Sequence, residues 1–170
     1  LMIGDMVAKV GLVDRTGSIL RVPGPEMAFG YDESRVQHTG EFVLWAEFDV
    51  VAGDSTKLRA AARESLAFRK RTQPLTQASA GCVFQNPNVT DGSLPDGVPR
   101  TAGALIDGAG LKGCRVGGAA VSTIHGNFIV SDGAATSADV RALIDHCRGA
   151  VADRFGVLLR EELVYVGVFG

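Results

Sequence analysis

Three cysteines are the side chains of this sequence whose chemistry depends most on their surroundings. Cys82, Cys114 and Cys147 lie 32 and 33 residues apart, so they form neither a complete disulfide set nor a Cys-x-x-Cys pair. Cys147 falls on the apolar stripe of a predicted helix, and Cys114 lies at the edge of a predicted strand. Cys82 follows Gly81 in a turn ahead of a long loop. It is either a buried structural thiol or part of a reactive site.

Two other patterns resemble catalytic or cofactor motifs but lack the context that such motifs need. Ser122, His125 and Asp107 have the residue types of a hydrolase triad, yet Ser122 lies in no Gly-x-Ser-x-Gly turn. Residues 108–113 match Gly-x-Gly-x-x-Gly. A dinucleotide site requires a strand before these glycines and a helix after them. Here a predicted helix precedes and a strand follows, which indicates a turn that ends the helix.

Composition excludes several classes of function. The chain has 170 residues, with 17 basic and 19 acidic side chains and a formal charge of -2. This balance gives no basic surface for nucleic acid, and no apolar run approaches the roughly 20 residues that span a membrane. The three histidines, His38, His125 and His146, are far from one another and from the cysteines, so we expect no metal site. Unpaired cysteines and the absence of a secretory signal predict a cytoplasmic protein.

The elements that must position these residues predict an α+β fold. Helical periodicity predicts helices over 55–71 and 101–109 and a longer one from an N-cap at Ser137 to Gly156. Alternating and β-branched segments predict strands over 7–12, 19–22, 42–51, 127–130 and 163–168, and another near Arg115. The first strands form a small antiparallel sheet, because the turn signal 14–17 joins the first two.

An ordered series of motifs runs along nearly the whole chain. Its members are Phe29-Gly30-Tyr31, Gln73-Pro74, 79–87, 102–107, 110–113, 117–119, Val121-Ser122, 125–130, 155–157 and Glu162 ahead of Gly167. Together they resemble the UDP-N-acetylenolpyruvoylglucosamine reductase family, also called UDP-N-acetylmuramate dehydrogenase. The resemblance implies a flavoenzyme that uses FAD and NADPH to reduce UDP-N-acetylglucosamine enolpyruvate during peptidoglycan precursor synthesis. NADPH reduces FAD, the flavin gives hydride to the vinyl carbon, and an acid protonates the adjacent carbon.

The resemblance assigns roles to particular residues. Cys82 matches the family's proton donor, which is a serine or a cysteine, and Glu162 matches a glutamate that helps polarise the enolpyruvyl carboxylate. A thiol is mostly protonated at neutral pH and can donate. Tyr31 and Asn86 match substrate-contacting positions, while His125 and Asn127 are expected to line the nucleotide-sugar site.

The sequence also departs from the family pattern. Asp32 stands where the family has an arginine near the flavin and the substrate carboxylate, so we expect either that Arg35 reaches the flavin side instead or that activity is impaired. Gln85 replaces a lysine, and Glu161 replaces the proline that precedes the family glutamate.

The resemblance implies a carboxy-terminal portion of the enzyme. The family's glycine-rich FAD pyrophosphate segments lie in an amino-terminal half that is missing here, so we expect the chain alone to be inactive. We expect residues 1–72 to be a remnant of the flavin-binding lobe, 73–155 an α+β substrate-binding domain, and 156–170 a strand that returns to the flavin side. Two alternatives remain: a non-catalytic nucleotide-sugar binding remnant of this fold, and an unrelated small binding domain of the cytoplasm.

Overall fold

The computed structural model describes residues 2–87 and 94–167 of the chain. The chain divides into two compact units, which we call unit 1 (Leu1–Leu58) and unit 2 (Arg59–Gly170). Each unit has its own hydrophobic core and its own three-stranded antiparallel sheet. Helices accompany both sheets, and the chain is therefore α+β, as the sequence predicts.

Unit 1 is built on a sheet with the strand order β2-β1-β3. Its strands are β1 (Val7–Val13), β2 (Ile19–Pro23) and β3 (Phe42–Phe48). The short helix α1 (Val36–Thr39) lies between β2 and β3 in the chain, and helix α2 (Ser55–Thr72) follows β3. The β1–β2 turn forms where the sequence predicts it, because one Asp14 carboxylate oxygen accepts from the N–H groups of Thr16 and Ser18 at 2.8 and 2.9 Å. Strand β3 ends at Phe48, so the predicted extension to Val51 is wrong.

The core of unit 1 is small, and much of its apolar surface is uncovered. Val10, Leu12, Val22 and Met27 are its buried members. All seven residues of β3 are exposed, although this strand carries the sequence Phe-Val-Leu-Trp-Ala-Glu-Phe. Helix α2, which begins in unit 1 and continues into unit 2, has no buried residue either. Apolar residues of this helix such as Leu58 and Leu66 are therefore exposed, at 60% and 50%.

Unit 2 packs two helices against a second sheet, whose strand order is β4-β5-β6. Its elements are α3 (Ala102–Gly108), β4 (Arg115–Val116), β5 (Ala119–Val121), β6 (Ile129–Ser131) and α4 (Ser137–Phe155). The fully buried side chains of α4, Leu143, Ile144 and Val151 with Cys147, join those of α3 in one core. Burial of Cys147 confirms its assignment to the apolar stripe of the helix.

The ends of α4 are set by side-chain caps. The N-cap is Thr136 and not Ser137: its hydroxyl accepts from the Asp139 N–H at 3.1 Å, and the Asp139 carboxylate accepts from the Thr136 N–H at 2.9 Å. This reciprocal pair satisfies two backbone donors that a helix start leaves open. At the other end Gly156 adopts φ 69°, as predicted for a glycine cap.

Three strand predictions in unit 2 need correction. Strand β5 was not predicted, because Ala119 and Ala120 have low strand propensity and form a strand only between β4 and β6. Strand β6 begins at Ile129 and not at Asn127. Residues 163–166 form no strand, although their burial alternates, and Val168 lies outside the described residues.

Two glycines of unit 2 provide a matched test of this packing. A Cβ on Gly118 would lie 2.4 Å from the backbone nitrogen of Ala135, whereas a Cβ on Gly149, exposed within α4, meets nothing within 4 Å. We expect Gly118→Ala to destabilise the protein by about 2 kcal/mol or more through backbone displacement. Gly149→Ala should stabilise it by about 0.5–1 kcal/mol, because alanine favours a helix. Denaturant unfolding of both variants measures the difference, and a loss of stability in Gly149→Ala would contradict the helix assignment.

Candidate active site

The segment that contains Cys82 pairs with two other segments of unit 2, one around Phe128 and one around Glu161. Cys82 forms an antiparallel bridge with Phe128, and Phe84 forms one with Glu161. The N–H of Val83 donates to the carbonyl of Asn127 at 2.9 Å. On its other side, the Val83 carbonyl accepts from the N–H of Glu162 at 2.8 Å. These bonds bring Glu162 next to the cysteine segment although 80 residues separate the two in sequence.

Asn127 fixes this segment through its side chain. The amide is buried, with 4% of the residue exposed, and it makes two hydrogen bonds to one residue: Oδ1 accepts from the Phe84 N–H at 2.9 Å, and Nδ2 donates to the Phe84 carbonyl at 2.7 Å. The side chain therefore supplies the bonds that a neighbouring strand would otherwise supply. Phe84 itself is 1% exposed and anchors the segment in the core.

The surroundings of Cys82 keep its thiol protonated. Burial raises the pKa of this half-buried thiol, and the negative charge of Glu162 raises it further, while a hydrogen bond from the Asn127 side chain acts in the opposite direction. Since an ordinary cysteine already titrates near pH 8.5, Cys82 carries its proton at neutral pH. It is therefore suited to donate a proton and poorly suited to act as a nucleophile.

His125 is held in its neutral form. Its Nδ1 accepts from the Asn127 N–H at 3.2 Å, and its ring stands edge-on to Phe128 with the ring centroids 5.0 Å apart. Burial lowers the pKa of the imidazole, and the positive charge of Lys112 lowers it further. The neutral ring with Nδ1 as acceptor carries its proton on Nε2, which can donate one hydrogen bond.

Asn86 connects the cysteine segment to a helix. Its Oδ1 accepts from the N–H of Ala102 at 3.0 Å, at the start of α3. The N-cap hydroxyl of Thr101 accepts from the Ala104 N–H at 3.3 Å. Both bonds use backbone donors that the first turn of a helix leaves free. The exposed Asn86 side chain thus has a structural role in addition to the substrate role that the resemblance predicts, which remains a prediction.

Unit 1 contains the other two residues singled out from the sequence. Tyr31 is 61% exposed and precedes Asp32, whose φ of 54° lies in the left-handed region. The Gly30 N–H bonds the Glu33 carbonyl at 2.9 Å and closes this turn. The Arg35 guanidinium makes two hydrogen bonds of 2.9 Å with the carboxylate of Glu41. A flavin contact by Arg35 would therefore compete with this ion pair.

The triad-like residues and the glycine series 108–113 have structural roles. The Ser122 hydroxyl is buried and accepts from the N–H groups of Ile124 and His125 at 3.1 and 3.4 Å, so it caps a turn and forms no triad. The glycine series lies after α3, where Gly110 and Gly113 adopt φ of 76° and 81° before β4 begins. It ends the helix, as predicted. Among residues 2–87 and 94–167, no three histidine, cysteine or acidic side chains cluster as metal ligands, and no helix is long and apolar enough to cross a membrane.

Comparison with known proteins defines the family. Residues 73–166 match the sequence model described as UDP-N-acetylenolpyruvoylglucosamine reductase, C-terminal domain. Relatives with that enzyme name occur in Heliobacterium modesticaldum, 42% identical over 98% of this chain, and in Desulfosudis oleivorans, 39% identical over 96%. The crystal structure of the Thermus caldophilus enzyme superposes on 94% of this chain with a TM-score of 0.76 and 32% identity. The chain belongs to the family defined by this carboxy-terminal domain.

The chain is much shorter than these proteins. It spans 50% of the Heliobacterium relative, 51% of the Desulfosudis relative and 52% of the Thermus chain. The match to about half of each relative agrees with the predicted carboxy-terminal portion.

The influence of Glu162 on the thiol can be measured in the chain as it stands. We expect alkylation of Cys82 by iodoacetamide to rise with pH around a midpoint above the ordinary thiol value of about 8.5. Glu162→Gln should move that midpoint to lower pH, because it removes the negative charge that opposes the thiolate. Peptide mass spectrometry follows each cysteine separately. Cys114 serves as the control for global effects, and Cys147, with a pKa raised to about 12 by burial, should stay unmodified in the folded protein. An unchanged Cys82 midpoint would show that Glu162 lies too far from the thiol.

The Asn127 amide can be tested through pH-dependent stability. In Asn127→Asp the new carboxyl group faces the Phe84 carbonyl, and burial raises its pKa above the value of about 3.9 in the unfolded chain. Relative to the original protein, the variant should lose little stability near pH 4, where the protonated acid still donates. The loss should grow as the pH rises through the raised pKa and reach about 2–3 kcal/mol at neutral pH.

Asn86→Asp is the matched control for this experiment. A carboxylate there still accepts from the Ala102 N–H and lies at the start of α3, so no comparable loss is expected. Equal pH profiles for the two variants in chemical unfolding would contradict the buried amide pair.

Proposed function

We propose that this chain is the substrate-binding and proton-donating part of an enzyme that reduces UDP-N-acetylglucosamine enolpyruvate to UDP-N-acetylmuramate. The observation that carries the proposal is the pairing of the Glu162 N–H with the Val83 carbonyl, which places a carboxylate beside the protonated Cys82 thiol. Family membership supports the reaction class, and the free cysteines fit the reducing cytoplasm in which we place the reaction.

Cys82 acts as the general acid in this proposal. The Sγ proton is transferred to the substrate carbon adjacent to the carboxylate, and the resulting thiolate recovers a proton from solvent. The raised pKa keeps the proton on the thiol until a strong base, the carbanionic substrate carbon, is present. Since Glu162 opposes the thiolate, its charge also favours rapid reprotonation.

Glu162 and His125 orient the substrate around that proton. Glu162 is exposed and lies beside Cys82, and we assign to it the polarisation of the enolpyruvyl carboxylate region that the resemblance implies. His125 offers its Nε2–H to an oxygen of the nucleotide sugar. The Asn127 side chain binds the backbone of Phe84, and the Asn127 backbone carbonyl accepts from the Val83 N–H. The Asn86 side chain accepts from the Ala102 N–H at the start of α3.

Within residues 2–87 and 94–167, the longer helices α2 and α4 offer no open N-terminus for the FAD pyrophosphate. In the described residues, the longer helices have N-termini that are capped by their own side chains: Asp54 accepts from Thr56 and Lys57 at α2, and Thr136 with Asp139 closes α4. Open helix N-termini are a common way to bind such phosphates. In the family the flavin supplies hydride, received from NADPH. We infer that the donors for its pyrophosphate belong to an amino-terminal half like that of the relatives.

Unit 1 fits the role of a remnant flavin-binding lobe. Its β3 exposes Phe42 and Trp45, which are 69% and 38% exposed, and such apolar surface normally has a partner. We assign that partner to the same amino-terminal half. Tyr31 would then contact substrate and Arg35 the flavin side, within the division 1–72, 73–155 and 156–170.

Retention of FAD tests which part of the protein binds the flavin. The two-part protein for this purpose is the amino-terminal half of the Heliobacterium relative joined to this chain. We expect it to keep FAD through desalting, whereas the 170-residue chain does not. Retention of near-stoichiometric flavin by the chain alone would contradict the proposal. Binding of UDP-N-acetylglucosamine by a chain that never yields an active two-part protein would instead favour the non-catalytic remnant.

The acid assignment is tested in the same two-part protein by stopped-flow absorbance of the flavin. Cys82→Ala should leave NADPH reduction of FAD nearly intact and slow reoxidation by the enolpyruvyl substrate by about 10²-fold or more. Cys114→Ala is the matched cysteine control and should change neither step. Equal slowing of both steps by Cys82→Ala would show a structural thiol.

A further inference from the structure

Two adjacent glutamates, Glu161 and Glu162, precede an extended segment whose residues alternate in exposure. Glu161, Leu163 and Tyr165 are partly buried, whereas 162, 164 and 166 are exposed. Leu163 and Tyr165 pack against the core of unit 2. In such a segment, a shift by one residue moves every side chain to the opposite face. Such a shift would turn Glu162 inward and place Glu161 in the outward position. Because both residues are glutamates, residue type alone does not determine which of the two faces outward.

Helix α4 contacts two of these partly buried residues, Glu161 and Tyr165. Arg148 donates to the Glu161 carboxylate at 2.5 Å and also bonds Asp145 on its own helix. About two helical turns before it, the Arg141 guanidinium lies over the Tyr165 ring, 4.7 Å from the ring centroid. The Glu161 side chain is only 15% exposed, so this ion pair is better shielded from water than an ordinary surface pair.

We propose that Arg148 is a positioning residue that, by binding Glu161, selects Glu162 as the glutamate that faces outward beside Cys82. The part played by Glu162 in catalysis rests on the proposed function, whereas the ion pair and the register of the segment rest on the contacts described above. Arg148 acts on Glu162 through its ion pair with Glu161 and through the register of the segment. Without it, two backbone bonds remain at this end: the Glu162 N–H donates to the Val83 carbonyl at 2.8 Å, and the Gln85 N–H donates to the Arg160 carbonyl at 2.9 Å.

The test uses the 170-residue chain and needs no turnover, so it is independent of whether the reductase proposal holds. Arg148→Gln should speed amide exchange of the Glu162 N–H roughly tenfold, as expected for the loss of a hydrogen bond to a charged group. The amide of Val151 in α4 should keep its protection, which reports that the variant is folded. Arg154→Gln, on an exposed site of the same helix, is the matched control and should change neither amide.

The alkylation midpoint of Cys82 separates positioning from simple charge loss. Removing a positive charge disfavours a thiolate and should move the midpoint to higher pH. In the shifted register Glu161 takes the place of Glu162, so a carboxylate remains beside the thiol in Arg148→Gln. We therefore expect Glu162→Gln to lower the midpoint in the original protein but to lower it less when Arg148→Gln is also present, because Glu161 then supplies the charge. Arg148→Glu/Glu161→Arg should restore the full effect of Glu162→Gln. An equal lowering by Glu162→Gln in both backgrounds, or unchanged exchange of the Glu162 N–H in Arg148→Gln, would overturn the proposal.

Discussion

The two hydrogen bonds between the Asn127 amide and the backbone of Phe84 hold the candidate site together. Phe84 is buried in the core of unit 2, and Cys82 lies two residues before it. Because the amide occupies both polar groups of Phe84 on one side, the other edge of the segment is left to bond the chain around Glu162. A buried amide that lost either partner would carry an unsatisfied polar group, so this arrangement tolerates little change.

The electrostatics of the site follow from that arrangement. A half-buried thiol next to a carboxylate keeps its proton, and a half-buried imidazole near Lys112 stays neutral. Both groups are therefore donors at neutral pH, which suits a reaction that ends with protonation of carbon. Two arginines of α4, Arg148 and Arg141, hold the Glu161–Tyr165 segment on that helix.

The sequence predicted the parts of this structure that depend on local patterns. The helices over α2, α3 and α4 and the glycine turn after α3 appear near their predicted positions, because periodicity, caps and positive φ are local properties. Strand β5 and the absence of a strand over 163–166 could not be predicted, since each depends on which distant segment pairs with it.

The site was predictable only as separate residues. The resemblance singled out Cys82 and Glu162, but the bond that joins their segments is a long-range contact without a signature in the sequence. The sequence also did not reveal the hydrogen bonds of the Asn127 side chain to Phe84 or the contact of Arg148 with Glu161, for the same reason. Strand β3 shows the converse: its apolar pattern predicted the strand correctly, but all seven of its residues are exposed.

The central claim, that Cys82 donates the proton, is tested most directly by the pH dependence of flavin reoxidation in the two-part protein. The account predicts that the rate constant falls as pH rises, with a midpoint equal to that for alkylation of Cys82 in the same protein. In Cys82→Ser this decline should disappear from the accessible range, because a hydroxyl does not ionise there. A decline that persists unchanged in Cys82→Ser would show that another group supplies the proton.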